Sequence, residues 1–116
     1  MNSYIKTKTT LLLALLLFGL ATAFAKEQED QEEIRLREEV YKYFDTTDRL
    51  AFEDAVHQLR SYYKTMGKWH EMYTAWENEI VYDINNDHFY SALKKTEAMN
   101  DLIMSNNHVD EFYRMD

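Results

Sequence analysis

Cysteine and proline are absent from this chain, and glycine occurs only twice. Without cysteine, no disulfide can stabilise the fold, and without proline, no helix is ended by a residue that lacks a backbone N–H. Two glycines are also too few for a glycine-rich nucleotide-binding loop. The stability of the fold must therefore come from helix packing, from a longer chain or from a partner.

Basic residues are scarce as well. The chain carries 13 Lys and Arg against 21 Asp and Glu, which gives a formal net charge of -8 at pH 7. An acidic surface repels phosphate backbones and anionic lipid headgroups. No nucleic-acid partner is therefore expected, and a protein or peptide partner, including a second copy of the chain, remains.

The N-terminal segment, residues 1–25, has the pattern of a signal peptide. Lys6 and Lys8 precede an apolar run from Leu11 to Leu20, and Ala23-Phe24-Ala25 is a small-x-small cleavage site. We expect cleavage between Ala25 and Lys26 and export to the periplasm. Membrane contact is expected only through this segment, and only if it stays uncleaved as an anchor. Loss of two lysines and no acids would change the net charge from -8 to -10.

Residues 26–33 are predicted to be an acidic leader, and residues 34–116 a helical domain with a first helix at 34–44. Asp45-Thr46-Thr47-Asp48 should separate this helix from the second, because Asp and Thr side chains accept hydrogen bonds from the free amides of a first helical turn. The second helix is expected to reach Met66, where Gly67 supplies the left-handed residue that commonly ends a helix. Its apolar face consists of Ala51, Phe52, Ala55, Val56, Leu59, Tyr62, Tyr63 and Met66.

A third helix, from near Lys68 to about Asn85, is the central element of the prediction. It contains both tryptophans, and one face carries Trp69, Met72, Tyr73, Trp76, Ile80 and Ile84. A smaller apolar set, Ala75 and Tyr82, points elsewhere, which is typical of a helix with neighbours on two sides in a repeat array. The link at Gly67 is short, so this helix should run antiparallel to its predecessor and form a helical hairpin.

A fourth helix is expected between Asp87, a predicted cap, and a break at Asn106-Asn107, and a fifth begins at Val109. The apolar stripe of the fourth helix is Phe89, Ala92, Leu93, Thr96, Met99 and Ile103. A shift of 37 residues places Phe52 on Phe89, a period typical of stacked helical hairpins. Such arrays usually need about three units, and the mature chain supplies about two. We therefore expect a domain that is incomplete at its C-terminus or that needs a partner.

One set of residues spans the second to fourth helices: Ala55, Leu59, Tyr62, Gly67, then Tyr73-x-x-Trp76-x-Asn78-x-x-x-Tyr82-x-Ile84-Asn85, then Tyr90-Ser91-Ala92-Leu93. In this pattern the chain, over about 36–116, resembles the tetratricopeptide-like (TPR-like) periplasmic input regions of bacterial two-component sensor histidine kinases. The resemblance implies an all-α fold of antiparallel helical hairpins in a right-handed array, with about four helices after the signal helix. It implies a sensing or docking module without kinase activity, because no phospho-accepting helix or nucleotide-binding domain follows.

A calcium loop is suggested by the alternating oxygen-bearing residues from Asp83 to Asp87. However, His88 stands where such a loop needs Gly, and Lys94 stands where it needs a bidentate Glu. A turn between helices explains the segment better. The four histidines are scattered and are expected to be solvated, so we predict no metal site and no cofactor.

The paired carboxylates Glu38-Glu39 and Glu77-x-Glu79 are expected on solvated faces. No spacing in the sequence brings a nucleophile beside a base, as acyl transfer would require. We therefore predict no catalytic residue and no enzyme activity.

A polar set on the third helix is the candidate binding site. Glu71, Asn78 and Tyr82 are spaced by seven and four residues and so share one face away from the main apolar stripe. In a helical-repeat array such a face can line the concave groove, where Asn clamps an extended backbone and Tyr stacks on a side chain. The alternative, which is the more common situation, is that Tyr82 packs on the neighbouring repeat and the other two are merely exposed.

Taken together, these features predict a non-catalytic, exported helical-repeat module that binds a protein or peptide and takes part in signal transduction. The alternative function is a stand-alone periplasmic helical protein that acts through self-association or as an adaptor.

Overall fold

The computed structural model describes residues 31–114. The predicted signal peptide, its cleavage site at Ala25 and Lys26, and residues 26–30 of the acidic leader lie outside the described residues. One compact unit of the chain begins at Arg35.

The described residues form five helices and no strand. Helix α1 comprises residues 31–44, so residues 31–33 of the predicted leader are helical too. The other helices are α2 (Arg49–Thr65), α3 (Trp69–Asn85), α4 (Phe89–Ser105) and α5 (Val109–Tyr113). The predicted all-α fold of helical hairpins is confirmed. Between residues 31 and 114, no helix is both long enough and apolar enough to cross a membrane.

The helices after α1 are evenly spaced, since α2, α3, α4 and α5 begin at Arg49, Trp69, Phe89 and Val109. Each of α2, α3 and α4 has 17 residues and is followed by a three-residue link. One such helix with its link is called the helix interval below. A helical hairpin spans two helix intervals, so the repeat from the start of α2 at Arg49 to the start of α4 at Phe89 is 40 residues (89 minus 49). The predicted period of 37 residues is therefore wrong. The apolar matches behind that prediction arose because amphipathic helices have apolar residues three and four apart, so several different shifts align them.

All three links are Schellman motifs, in which the amide of the second residue beyond the C-cap bonds to a carbonyl in the last helical turn. The amides of Lys68, His88 and His108 donate to the carbonyl oxygens of Tyr63, Asp83 and Ile103 at 2.7–2.8 Å. The middle residues Gly67, Asp87 and Asn107 have positive φ angles of 71°, 63° and 54°. Asp87 is therefore the left-handed residue of its link and does not cap α4, contrary to the prediction. The predicted cap of α2 is confirmed, because the Asp48 carboxylate accepts from the Ala51 amide at 3.2 Å.

Replacement of Gly67 by Ala is expected to lower the free energy of unfolding by about 1 kcal/mol, the usual cost of a side chain in the left-handed region. A Cβ at Gly67 would meet no atom within 4 Å, so the cost comes from the backbone alone. The control is Gly67→Asn, which should cost less, because Asn already occupies the equivalent position 107. Urea unfolding of both variants checks this, and equal losses would contradict it.

Helix α3 lies at the centre of the array and packs against α2, α4 and α5. The core is largely apolar, and its fully or nearly buried side chains include Leu36, Val40, Phe52, Val56, Leu59, Tyr63, Met72, Tyr73, Trp76, Tyr82, Met99 and Ile103. Not all of the predicted apolar stripes are buried. Ile84 of α3 and Phe89 and Leu93 of α4 are exposed, because no described helix covers that side of the α3–α4 hairpin.

Candidate functional site

A largely buried cluster of charged side chains joins three consecutive helices. It is formed by Arg49, Glu53 and Arg60 of α2, Glu79 and Asp83 of α3, and Lys95 of α4. These six residues, called the ion cluster below, comprise three cations and three carboxylates. Their charges balance, so the ion cluster can be buried without a net charge.

Lys95 is the centre of the ion cluster. Its ammonium nitrogen lies 2.9 Å from Glu53 Oε1, 3.0 Å from Glu79 Oε1 and 2.9 Å from Asp83 Oδ2. An ammonium group has three N–H donors, and here each one has a carboxylate acceptor. One side chain of α4 thus binds both α2 and α3.

Arg49 and Ser91 complete the ion cluster around Asp83, which is fully buried. Ser91 donates to Asp83 Oδ2 at 2.6 Å and accepts a hydrogen bond of 2.8 Å from Arg49. Arg49 also binds Glu53 Oε1 at 3.0 Å. The second carboxylate oxygen of Asp83 lies 3.8 Å from Arg49 and 3.7 Å from His88 Nδ1, beyond hydrogen-bond distance.

Arg60 closes the other end of the ion cluster. Its guanidinium lies 3.4 Å from Glu79 Oε2 and 3.7 Å from the centre of the Trp76 ring. A cation stacked on an aromatic face is attracted by the ring quadrupole. Burial lowers the pKa of Arg60, although the charge of Glu79 acts in the opposite direction.

The directions of the pKa shifts show that the partners of Asp83, Glu53 and Lys95 favour the charged forms of these groups. Burial alone would raise the pKa of Asp83 and Glu53, but Lys95, Arg49 and, for Asp83, Ser91 outweigh burial, and both pKa values lie below their ordinary values. Burial alone would lower the pKa of Lys95, but hydrogen bonds to the three carboxylates raise it. All three groups are thus held in their charged forms at neutral pH.

Stability should therefore be nearly constant from about pH 5 to pH 9 and fall on both sides. The carboxylates have lower pKa values in the folded state, so their contribution is present above the unfolded values near 3.8 and 4.5 and is lost as the pH falls through the folded ones. Lys95 has a raised pKa, so its contribution is present below 10.5 and is lost as the pH rises through the folded value. Urea unfolding at pH 3, 7 and 11 measures this, and Asp83→Asn should show a weaker decline in acid. Equal stability at pH 3 and pH 7 would contradict it.

The chemistry of the ion cluster is that of a helix-to-helix link. Ser91 is hydrogen-bonded to a carboxylate whose pKa is lowered, and such a carboxylate is a weak base. The arrangement therefore does not activate Ser91 as a nucleophile. Within residues 31–114, no group of three or more His, Cys, Asp or Glu is arranged to hold a metal ion.

The three residues of the predicted binding set do not share one exposed surface. Tyr82 is 1 % exposed, stacks on Phe52 with ring centres 4.1 Å apart, and donates from its hydroxyl to the Thr46 carbonyl oxygen at 2.9 Å. Glu71 forms an ion pair of 3.1 Å with Arg114, and Asn78 is half-buried. The ring of Tyr82 belongs to the core because α1 and α2 cover that side of α3. A binding role for Glu71 and Asn78 stays a prediction.

Two acids that the sequence placed on a solvated face or in a turn are buried instead. Glu79 and Asp83 occupy core positions of α3. The residues one helix interval before and after each of them in the sequence are apolar and buried. They are Leu59 and Met99 for Glu79, and Tyr63 and Ile103 for Asp83. Alignment of the three helices by the helix interval was the signal that could have identified them. Asp83 to Asn85 belong to α3, so only Asn86 and Asp87 of the predicted turn lie in the link between the helices.

Helix α5 is fixed to the first turns of α3 by two histidines, which corrects the expectation that all four histidines are solvated. His108 Nδ1 lies 2.8 Å from the Tyr73 hydroxyl, and the His108 ring lies 4.4 Å from that of Trp69. His70 Nδ1 donates to the Glu111 carbonyl oxygen at 3.0 Å. The Phe112 ring packs edge-on against Tyr73. These contacts place α5 at one end of the α3–α4 hairpin.

Beyond α5, no helix formed by residues 31–114 covers the same side of the hairpin. Ile80 and Ile84 follow Tyr73 by two and three turns on one face of α3, and Phe89 and Leu93 begin α4 beside them. Ile84, Phe89 and Leu93 are 47 %, 60 % and 54 % exposed, and Ile80 is half-buried. These four apolar residues are called the α3–α4 groove below. Its position in line with α5 makes it a surface on which a helix can pack.

A second concave surface lies between α1 and α2. It has a volume of about 190 Å³ and is lined by Leu36, Tyr43, Ala51 and Ala55 with polar and charged neighbours. Small-molecule sites usually have about 300–1,000 Å³. This cleft is therefore small for an organic ligand, and the α3–α4 groove is the better candidate site.

Comparisons with known proteins found no family, no characterised protein and no solved structure that matches the chain.

Proposed function

We propose that this protein is a non-catalytic, exported helical-repeat module that binds a protein or peptide through the α3–α4 groove. The observation that carries the proposal is the exposure of Ile84, at the end of α3, and of Phe89 and Leu93, at the start of α4, on the two helices that the short link joins. Contiguous exposed apolar residues with a polar rim mark interaction sites in soluble proteins. The resemblance to sensory input regions of two-component kinases supports a role in signal transduction.

In this proposal the module recognises its partner and transmits the event by repacking. Docking in the groove would shift the population toward the arrangement of α3, α4 and α5 that binds the partner more tightly. The size of the shift is set by the difference in affinity between the arrangements. The ion cluster, which joins α2, α3 and α4, would hold these three helices together while this happens. Export is part of the proposal, and an N-terminus at Lys26 rather than Met1 in the mass spectrum of the purified protein would support it.

Site-specific photo-cross-linking in the native host tests the proposal. A photoreactive amino acid replaces Leu93 in the groove or, as a matched control, Leu50, an exposed leucine at the start of α2. We expect a discrete adduct at position 93 that the additional substitution Ile84→Gln abolishes, and no such adduct at position 50. The absence of an adduct at position 93, or an equal adduct at both positions, would contradict the proposal.

A further inference from the structure

We propose that the partner segment in the α3–α4 groove is an amphipathic helix of about three turns whose polar face is basic. This inference rests on the proposed function and names the chemistry of the partner. It follows from three features of the described residues: the dimensions of the groove, the charge around it and the charge of the whole chain.

The groove has the length of a short helix. A 17-residue helix such as α3 or α4 is about 25 Å long, and the five residues of α5 span about 7 Å of that length. The remaining length, about 18 Å, corresponds to about 12 residues of helix. Ile80, Ile84, Phe89 and Leu93 lie along it, so a helix in line with α5 would place apolar residues on them at the usual i, i+3, i+4 and i+7 spacing.

The stretch of chain that contains the groove, from Trp69 to Arg114, is strongly acidic. Between Trp69 and Arg114 the chain has three basic residues, and each is engaged: Lys95 in the ion cluster, Lys94 with Glu97 at 3.5 Å, and Arg114 with Glu71 at 3.1 Å. The same stretch has nine acidic residues, five of which pair with none of its basic residues: Glu77, Asp87, Asp101, Asp110 and Glu111.

Two of these acids are close to the groove by their position in the helices. Glu77 lies on the same face of α3 as Tyr73 and Ile84, four and seven residues away, and Asp87 lies in the link between Ile84 and Phe89. Lysine or arginine side chains on the polar face of a docked helix would meet these carboxylates. Complementary charge of this kind accelerates association and selects among partners.

Overall charge argues against a second copy of the chain as the occupant. Each chain carries a net charge of -8, and two grooves packed on each other would bring their acidic rims together. The same repulsion opposes an acidic helix. An apolar face flanked by basic residues is therefore the complement of this surface.

Fluorescence anisotropy with the purified full chain tests the inference. The probes are three labelled helical peptides, each just long enough to fill the groove, with one apolar leucine face and a polar face of Lys, Gln or Glu. At low salt we expect the Lys peptide to bind about tenfold more tightly than the Gln peptide and the Glu peptide to bind most weakly. Added NaCl should reduce these differences, because salt screens exposed charges.

Matched variants locate the binding site. Leu93→Gln should lower the affinity for the Lys peptide at least fivefold. Leu50→Gln, at an exposed leucine outside the groove, should leave this affinity unchanged. Glu77→Gln should lower the affinity for the Lys peptide about twofold to threefold and leave the affinity for the Gln peptide unchanged.

The outcomes separate this inference from the proposed function. If the Lys, Gln and Glu peptides bind equally and Leu93→Gln weakens them all, the groove binds helices but the basic chemistry is wrong. If no peptide responds to Leu93→Gln, neither the inference nor the groove as binding site survives. A concentration-dependent dimer in light scattering that Leu93→Gln dissociates would show that a second copy is the occupant and would overturn the inference.

Discussion

Replacement of Lys95 by Met is expected to lower the free energy of unfolding by about 3 kcal/mol. The substitution removes the one cation that contacts the buried carboxylates of Glu79 and Asp83 and the half-buried carboxylate of Glu53, while Met fills a similar volume. Breaking a buried ion pair by removing one partner typically costs about 3–5 kcal/mol, because the remaining charge has lost both water and its partner. Urea unfolding followed by circular dichroism measures the loss.

Lys94→Met is the matched control for this prediction. Lys94 is the preceding residue on the same helix, and its ion pair with Glu97 is exposed on both sides. Exposed pairs contribute about 0–1 kcal/mol, so the control variant should unfold almost as the parent does. Equal effects of the two substitutions would show that the ion cluster contributes no more than a surface pair.

A double variant tests the physical reason. Combining Lys95→Met with Asp83→Ile replaces one buried charge pair by apolar residues, and Ile is the residue at the equivalent core position 103 of α4. Apolar replacement of buried ion pairs is often neutral or stabilising. The double variant should therefore recover part of the stability that Lys95→Met loses.

The second large effect is expected at Tyr82. Tyr82→Ala should lower the free energy of unfolding by about 3 kcal/mol or more, the usual cost of deleting a buried aromatic ring. Tyr82→Phe keeps the stacking on Phe52 and loses only the hydrogen bond to Thr46, so it should cost about 1 kcal/mol.

Tyr90→Ala is the control, since Tyr90 is exposed on α4 and should contribute little to stability. Thermal unfolding of the three variants distinguishes the two roles that the sequence allowed for Tyr82. A small loss of stability in Tyr82→Ala, close to that in Tyr90→Ala, would mean that the Tyr82 ring is not part of the core. Tyr82 would then be a candidate binding residue again, together with Glu71 and Asn78.

Helix positions and turns could be predicted because they depend on local residues. The apolar face of α2 has a 3.6-residue period, Asp48 has the side chain of a cap, and Gly67 has the backbone freedom that a left-handed link needs. Asp87 was misassigned for the same local reason: Asp accepts hydrogen bonds at a cap but also tolerates the left-handed region. In the structure Asp87 takes the left-handed conformation, within the Schellman motif that the His88 amide closes on the Asp83 carbonyl oxygen.

The ion cluster could not be predicted from periodicity, because acids and bases count as solvated residues in any amphipathic pattern. Glu79 and Asp83 can be buried because side chains of other helices face them: Lys95 pairs with both, Arg60 with Glu79, and Ser91 donates to Asp83. Exposure of Ile84, Phe89 and Leu93 was missed for the opposite reason. An apolar stripe predicts that a face tends to be covered, but the covering element lies elsewhere in the sequence or in another molecule.

The measurement that tests the central claim most directly is a methyl NMR spectrum of the full chain labelled at isoleucine. The sequence has five isoleucines, so Ile→Val variants can assign the signals. On addition of the Lys peptide, we predict shifts for the methyl groups of Ile80 and Ile84 in the groove and none for the buried Ile103 or for Ile34 on α1. Shifts confined to Ile34, or no shift of Ile84 at saturating peptide, would contradict the assignment of the α3–α4 groove as the binding site.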